Sequence, residues 1–203
     1  MKLKLLCSLA LFGLLGAFAK AADPDFLSKD NWEGLEKYWK FEGSSIIGKT
    51  DANPGFNTFF CSKTKYTDFE LHFDVKLTGT KWTGNSGVQI RSEIFDKEKF
   101  KVKGPQCDMG DRYWGSLYGE GMKEGMLKAS KWDDVSTVLK PDDFNDYYIK
   151  VVGKKVTIKI NGVTTVDQEF EVLPPAGVIA LQIHAGNPME VIFKNIKFKN
   201  LAK

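Results

Sequence analysis

Phe69-Glu70-Leu71-His72-Phe73-Asp74-Val75-Lys76-Leu77 decides the fold class. Apolar side chains take every odd position and polar ones every even position. Successive side chains of a strand point to opposite faces, so this run reads as a strand with one face on a core and the other in solvent. Working outward, Val88 and Ile90, with Ser92, alternate with Gln89, Arg91 and Glu93. Tyr147 to Val152 is a third strand. Lys155 to Ile160 meets Asn161-Gly162 and resumes as Val163-Thr164-Thr165-Val166. Both Asn and Gly tolerate positive φ, so this pair between β-branched runs predicts a tight hairpin. Val178 to His184 and Val191 to Phe198 complete the set. The apolar phase of the last run changes near Asn195, which predicts a bulge. Helical periodicity is almost absent. The pattern predicts an all-β chain folded as a two-sheet antiparallel β-sandwich.

The 203 residues are 42% hydrophobic and 27% charged, enough apolar material for a sizeable core. Lys2 and Lys4 precede an uncharged apolar run from Leu5 to Phe18, and Ala19-Lys20-Ala21 offers an A-x-A cleavage site. Residues 1–21 therefore read as a secretory signal peptide, too short in its apolar part for a comfortable membrane span. Cys7 follows Leu6 rather than a small residue, which disfavours a lipoprotein. The expected mature chain, 22–203, carries no repeat or linker and reads as a single domain, periplasmic or secreted. Cleavage removes Lys2, Lys4 and Lys20 from the 29 basic residues, leaving 26 against 26 acidic ones. A chain without surplus positive charge, and with only Arg91 and Arg112 as arginines, is not built for nucleic acid. No membrane association is expected after cleavage. Cys61 and Cys107 remain. Export permits a disulfide between them, and two buried thiols are the equal alternative.

In a sandwich, the polar phase of each strand faces outward. Gln89, Arg91 and Glu93 share one such face, Gln106 and Asp108 another, Gln182 and His184 a third, and Glu70, His72 and Asp74 a fourth. The last group, with Lys76, reads as ordinary solvated surface. The others lie beside long loops near residues 110–132 that are rich in Gly, Trp and Tyr, and such loops are often functional. Asn85-Ser86-Gly87 reads as a tight turn entering a strand. Trp114 and Tyr118 either stack on a sugar ring or pin their loop. HExxH, EF-hand, GxSxG, P-loop and GxGxxG patterns are missing. Asp108, Glu93 and Glu120 offer oxygens to calcium, with no specific spacing.

Several segments together resemble the 3-keto-disaccharide hydrolase domain family, whose members are mostly exported bacterial proteins with a concanavalin-like or laminin-G-like jelly roll. They are Trp39-Lys40-Phe41-Glu42-Gly43 through Ile47-Gly48, Tyr66-Thr67-Asp68-Phe69-Glu70-Leu71, Gly84-Asn85-Ser86-Gly87-Val88-Gln89-Ile90-Arg91, Gly104-Pro105-Gln106-Cys107-Asp108-Met109, Gly115-Ser116-Leu117-Tyr118, Asn161-Gly162, and Ile179-Ala180-Leu181-Gln182-Ile183-His184-Ala185-Gly186. The likeness covers nearly all of the mature chain. It departs at Phe144 and Asp146-Tyr147, where many members have Trp-Asn and Thr-Tyr, and in a reduced opening segment at Phe26-Leu27-Ser28.

The resemblance implies a carbohydrate ligand and, in some members, cleavage of 3-keto-glycosides. A C3 ketone acidifies the proton at C2, so a base, a donor for the enolate oxygen and a proton for the leaving group are needed. Asp108 and His184 are the expected catalytic pair. Gln89, Arg91, Glu93, Gln106, Trp114, Tyr118, Glu120 and Gln182 are the expected substrate contacts, Arg91 serving the enolate. A divalent metal ion could polarise the ketone, though no cage for one is visible. Asp108 with Glu93 or Glu120 would suit a conventional two-carboxylate glycosidase. A non-catalytic, lectin-like binding module is the alternative of another class.

Overall fold

The computed structural model describes residues 26–79 and 84–202, so the expected signal peptide lies outside the described residues. Fourteen strands form two seven-stranded sheets. The strands are β1 (Trp32–Glu33), β2 (Trp39–Glu42), β3 (Ser45–Thr50), β4 (Thr58–Tyr66), β5 (Phe69–Gly79), β6 (Asn85–Asp96), β7 (Lys101–Gly110), β8 (Leu117–Glu120), β9 (Met126–Lys128), β10 (Asn145–Val152), β11 (Lys155–Ile160), β12 (Val163–Glu169), β13 (Gly177–Ile183) and β14 (Met189–Asn200). The front sheet runs β1-β4-β13-β6-β7-β8-β9 and the back sheet β12-β11-β10-β5-β14-β3-β2. One short helix, Trp132–Ser136, follows β9.

The alternating run at Phe69 became the central strand β5, its odd residues buried and its even ones half-buried. The inner faces of the two sheets meet in a core that includes Val88, Ile90, Cys107, Met109, Leu117 and Ile179 from the front and Phe73, Val75, Tyr147, Ile149 and Phe193 from the back. Phe73 stacks on Tyr147 at 5.3 Å. Asn161 and Gly162 both hold positive φ, 46° and 86°, and close the β11–β12 hairpin as expected. The bulge expected near Asn195 is present: that residue has φ 53°, and the register shifts between Lys194 and Lys197. One expectation is corrected. Asn85, Ser86 and Gly87 are not a turn but the first residues of β6, paired with Gly110, Met109 and Asp108.

A second apolar cluster lies on the outer face of the front sheet. Phe59 and Cys61 of β4 and Val178 and Ala180 of β13 meet Val102 of β7, with Ile94 and Phe100 packed against them. The far end of the β6–β7 hairpin folds back over the sheet to form it. Phe59 N donates to Phe100 O at 3.0 Å, and Thr58 Oγ1 donates to Lys99 O at 2.8 Å.

Cys61 and Cys107 are free and buried, one in each cluster, on opposite faces of the same sheet. That placement removes the disulfide alternative, since bridged cysteines need Cβ atoms about 4 Å apart and facing each other.

Candidate functional site

The ladder of the front sheet sets out a polar strip on its outer face. Ala180 pairs with Gln89, Gln89 with Gln106, and Gln106 with Tyr118. In the next row Gly87 pairs with Asp108, flanked by Gln182 on β13. His184 stands one row further along the same face. Register thus brings Gln89, Gln106, Asp108, Tyr118, Gln182 and His184 to one face. Two strand spacings and two residues separate Asp108 from His184, roughly 12 Å between Cα atoms.

Gly87 makes the strip possible. A Cβ there would lie 2.7 Å from Cγ and Cδ of Gln106. Without one, the Gln106 side chain leans across β6 into the space. Its Nε2 donates to Asp108 Oδ1 at 2.7 Å and to Gln182 Oε1 at 3.3 Å. The Gln89 and Gln106 amides share a 2.7 Å hydrogen bond. Gln89, Gln106 and Gln182 are buried, whereas Asp108, Tyr118, Glu120 and His184 are half-buried. The strip therefore opens to solvent along those four. Gln182 Nε2 is buried with no hydrogen-bond partner among the described residues. A buried N–H without an acceptor is a standing deficit, and a ligand oxygen would remove it.

Asp108 carries the main electrostatic feature. Burial pushes its carboxyl up to about 7, the Gln106 hydrogen bond opposes that, and the nearby Glu120 charge adds to it. Only Gln106 donates to the carboxylate among the described residues. Its backbone is clamped from both sides: Asp108 N donates to Ser116 O at 2.9 Å, and Gly115 N donates to Asp108 O at 3.0 Å. The buried Tyr147 of the back sheet donates its hydroxyl to the same carbonyl at 3.1 Å. His184 directs Nδ1 to Ala185 O. A carbonyl only accepts, so Nδ1 carries the hydrogen and a neutral ring keeps its lone pair on Nε2.

Asn57, which the sequence reading passed over, ties the open end together. Its Oδ1 accepts from Ala185 N at 2.9 Å, and its Nδ2 donates to Glu120 Oε1 at 3.0 Å. Asn53 similarly accepts from Gly186 N at 3.0 Å. The only available signal was the Asn-Pro-Gly-Phe-Asn loop itself, which reads equally well as an ordinary turn.

Three expected contacts stand elsewhere. Arg91 has φ 45° and sits at a bulge, where four residues of β6, Gln89 to Glu93, span three of β7. The extra residue reverses the alternation. Ser92, not Arg91, follows Gln89 outward and donates its Oγ to Gln89 Oε1 at 2.7 Å. The Arg91 guanidinium is buried at the end of the sandwich. It donates to Thr67 O, Gly153 O, Pro174 O and Asp68 Oδ1. With its donors committed to the protein, Arg91 is a clasp between three loops. Burial lowers its pKa and the Asp68 charge counters that. Glu93 is exposed beyond the bulge, in a separate depression shared with Lys65, Lys103 and Met122. Trp114 is buried in the main core, so it pins its loop and offers no platform to a ligand. His72 lies on the outer face of the back sheet, paired with Asp146. Among the described residues no three His, Cys, Asp or Glu side chains converge on a metal site, and no helix is long and apolar enough to cross a membrane.

Residues 26–199 match the family described as 3-keto-alpha-glucoside-1,2-lyase-like domain. No curated protein matches the chain. Among solved structures, a provisionally assigned glycosyl hydrolase from Parabacteroides distasonis superposes with a TM-score of 0.61 at 19% identity, covering 85% of this chain and 89% of that one. The carbohydrate-binding module CBM66 from Bacillus subtilis gives 0.58 at 14% identity, covering 84% and 96%. A protein with a galectin-like fold from Bacillus subtilis gives 0.61 at 13%, covering 89% and 96%. At these identities the likeness is one of fold.

Proposed function

The chain belongs to the 3-keto-alpha-glucoside-1,2-lyase-like domain family, and from that premise we propose that the strip at Asp108 and His184 binds a glycoside oxidised at C3 and cleaves it by elimination. The observation that carries this reading is Asp108, a half-buried carboxyl held up to about 7 with one oxygen fixed by Gln106. A base that titrates near the working pH is both available and strong enough to take a carbon-bound proton.

The ketone acidifies the hydrogen at C2. Asp108 takes that proton, and the C–H electron pair becomes the C1–C2 double bond. The C1–O bond breaks with its electrons on the leaving oxygen, which takes a proton by way of His184. The products are an unsaturated 3-keto sugar and a free alcohol. Adding water across the new double bond completes a hydrolysis. Negative charge builds on the C3 oxygen during the first step, and Gln182 Nε2 takes over the donor role once expected of Arg91. Tyr118 and Glu120 flank the open side. The leader features at Lys2, Lys4 and Leu5 to Phe18 support export of the mature chain, and the amino-terminal mass of native protein tests it.

The buried amides of Gln89, Gln106 and Gln182 also suit a binding module, because amides read sugar hydroxyls without chemistry. Incubating the mature protein with a 3-keto-glycoside and its unoxidised parent separates the readings. Elimination releases alcohol from the keto-sugar alone. Cleavage of the parent would point instead to two-carboxylate hydrolysis by Asp108 and Glu120. Binding without turnover of either would leave a lectin-like module. Replacing His184 by Ala should lower turnover about 100-fold or more, the usual worth of a proton-transfer group. Replacing His72, on the other sheet, should leave it intact.

A further inference from the structure

Three buried amides run away from Asp108 in one connected set. Gln106 joins Asp108 at 2.7 Å, Gln182 at 3.3 Å and Gln89 at 2.7 Å, and Gln89 joins Ser92 at 2.7 Å. In the arrangement described above, Gln106 gives its N–H to an ionised Asp108. The reverse arrangement is equally provided for. With the Gln89 amide turned over, its nitrogen lies 2.7 Å from Ser92 Oγ, 3.1 Å from Pro105 O and 3.2 Å from Gly104 O, and its oxygen faces Gln106 at 2.7 Å. The Ser92 hydroxyl then finds Ile90 O at 3.1 Å.

The turned Gln89 oxygen needs an N–H from Gln106, so Gln106 must turn as well. Its oxygen then faces Asp108 Oδ1, and two acceptors meet unless Asp108 carries a proton on that atom. Gln106 oxygen would also face Gln182 Oε1, so Gln182 turns to present nitrogen. No intermediate mixture satisfies the set, because any single turned amide places two acceptors or two donors together.

We propose that Gln89, Gln106 and Gln182 are positioning residues that turn over together when Asp108 gains or loses a proton, so that the unpartnered end of Gln182 is an N–H donor beside the carboxylate and a C=O acceptor beside the acid. Resting on the reading of the site as a keto-sugar site, this fits ligand to base. A ketone oxygen can only accept, so it is held when Asp108 is ready to take a proton. A hydroxyl can serve either state.

The groups facing Asp108 are few: Glu120 from β8, His184 along β13, the Tyr147 hydroxyl on its carbonyl, and the Cys107 thiol directed to the core on its own strand. Of these Glu120 raises the Asp108 midpoint, which supplies a control.

The test is side-chain nuclear magnetic resonance of the ligand-free mature protein across the neutral range. The Asp108 carboxyl carbon and the amide nitrogens of Gln89, Gln106 and Gln182 should share one midpoint. All four should shift to lower pH together in Glu120→Gln, and the amide titration should vanish in Asp108→Asn. Amides that do not respond, or that follow a different midpoint, overturn the proposal, since amides with a purely structural role would not titrate. No substrate enters this measurement, so it fails or succeeds separately from turnover. A second readout is the affinity of methyl 3-keto-α-glucoside relative to methyl α-glucoside. That ratio should fall about tenfold as Asp108 protonates, the worth of one hydrogen bond, and stay flat in Asp108→Asn.

Discussion

Asp108 joins the stability and the chemistry of the chain in one side chain. Its carboxyl is raised to about 7 chiefly by burial, whereas an unfolded Asp titrates at about 3.9. The native state therefore holds the proton more tightly than the unfolded state. Its contribution is fully present below about pH 4 and is withdrawn as pH rises to about 7. Asp108→Asn removes the charge while keeping an oxygen for Gln106. Three pKa units correspond to about 4 kcal/mol, and partial solvation of the carboxylate suggests a gain of about half that at alkaline pH. Thermal melts of wild type and variant should diverge as pH rises and converge in acid. Turnover of the keto-glycoside should fall about 10³-fold. The polar phase around Asp108 was legible in Gln106-Cys107-Asp108-Met109. The burial that shifts its titration was not, because it comes from side chains and loops of four other strands.

At the scale of the strand, β6 holds two devices one bulge apart. Gly87 leaves the space that Gln106 occupies. Gly87→Ala should force that amide out and weaken sugar binding about tenfold, at a stability loss of about 1–3 kcal/mol for overpacking; titration calorimetry and a denaturation midpoint measure the two. Arg91 occupies the bulge itself. Arg91→Met leaves Asp68 and three carbonyls without their donor, and breaking such a buried pair costs about 3–5 kcal/mol. The expected outcome is a large drop in unfolding midpoint with near-normal turnover from the fraction that remains folded. Were Arg91 a ligand contact, turnover would fall with the fold intact. Strict alternation predicted Gln89, Arg91 and Glu93 on one face. It failed at Arg91 because one inserted residue in the left-handed region reverses the phase, and nothing in an Arg side chain announces that conformation.

Across the whole molecule, the sandwich divides its apolar material between a core and a smaller cluster under the folded-back hairpin. Cys61 and Cys107 fall on either side of that division. Burial pushes both thiols well above their ordinary range, so neither offers a thiolate to oxidants in the folded state. Thiol titration should find both cysteines free, unreactive before denaturation and fully reactive after it, with a melting temperature unchanged by reductant. A reductant-sensitive melt would contradict the opposite-face placement.

The period-2 runs by themselves determined that the chain is a β-sandwich, which side chains of β5 and β10 face inward, and where the Asn161-Gly162 turn falls. Those are local properties, set by the alternation of side chains along an extended backbone and by the φ preferences of two residues. The site was legible only as separate polar pairs on separate strands. Which pairs meet depends on strand order and register, and β13 reaches Asp108 only across β6, more than 70 residues away in the chain. Trp114 could stack or pin until the packing of its loop put it inside. Arg91 left the strip and Asn57 joined it for the same reason: a bulge and a crossing loop are decided by how whole sheets curve and close, and that information is shared among residues far apart in the chain.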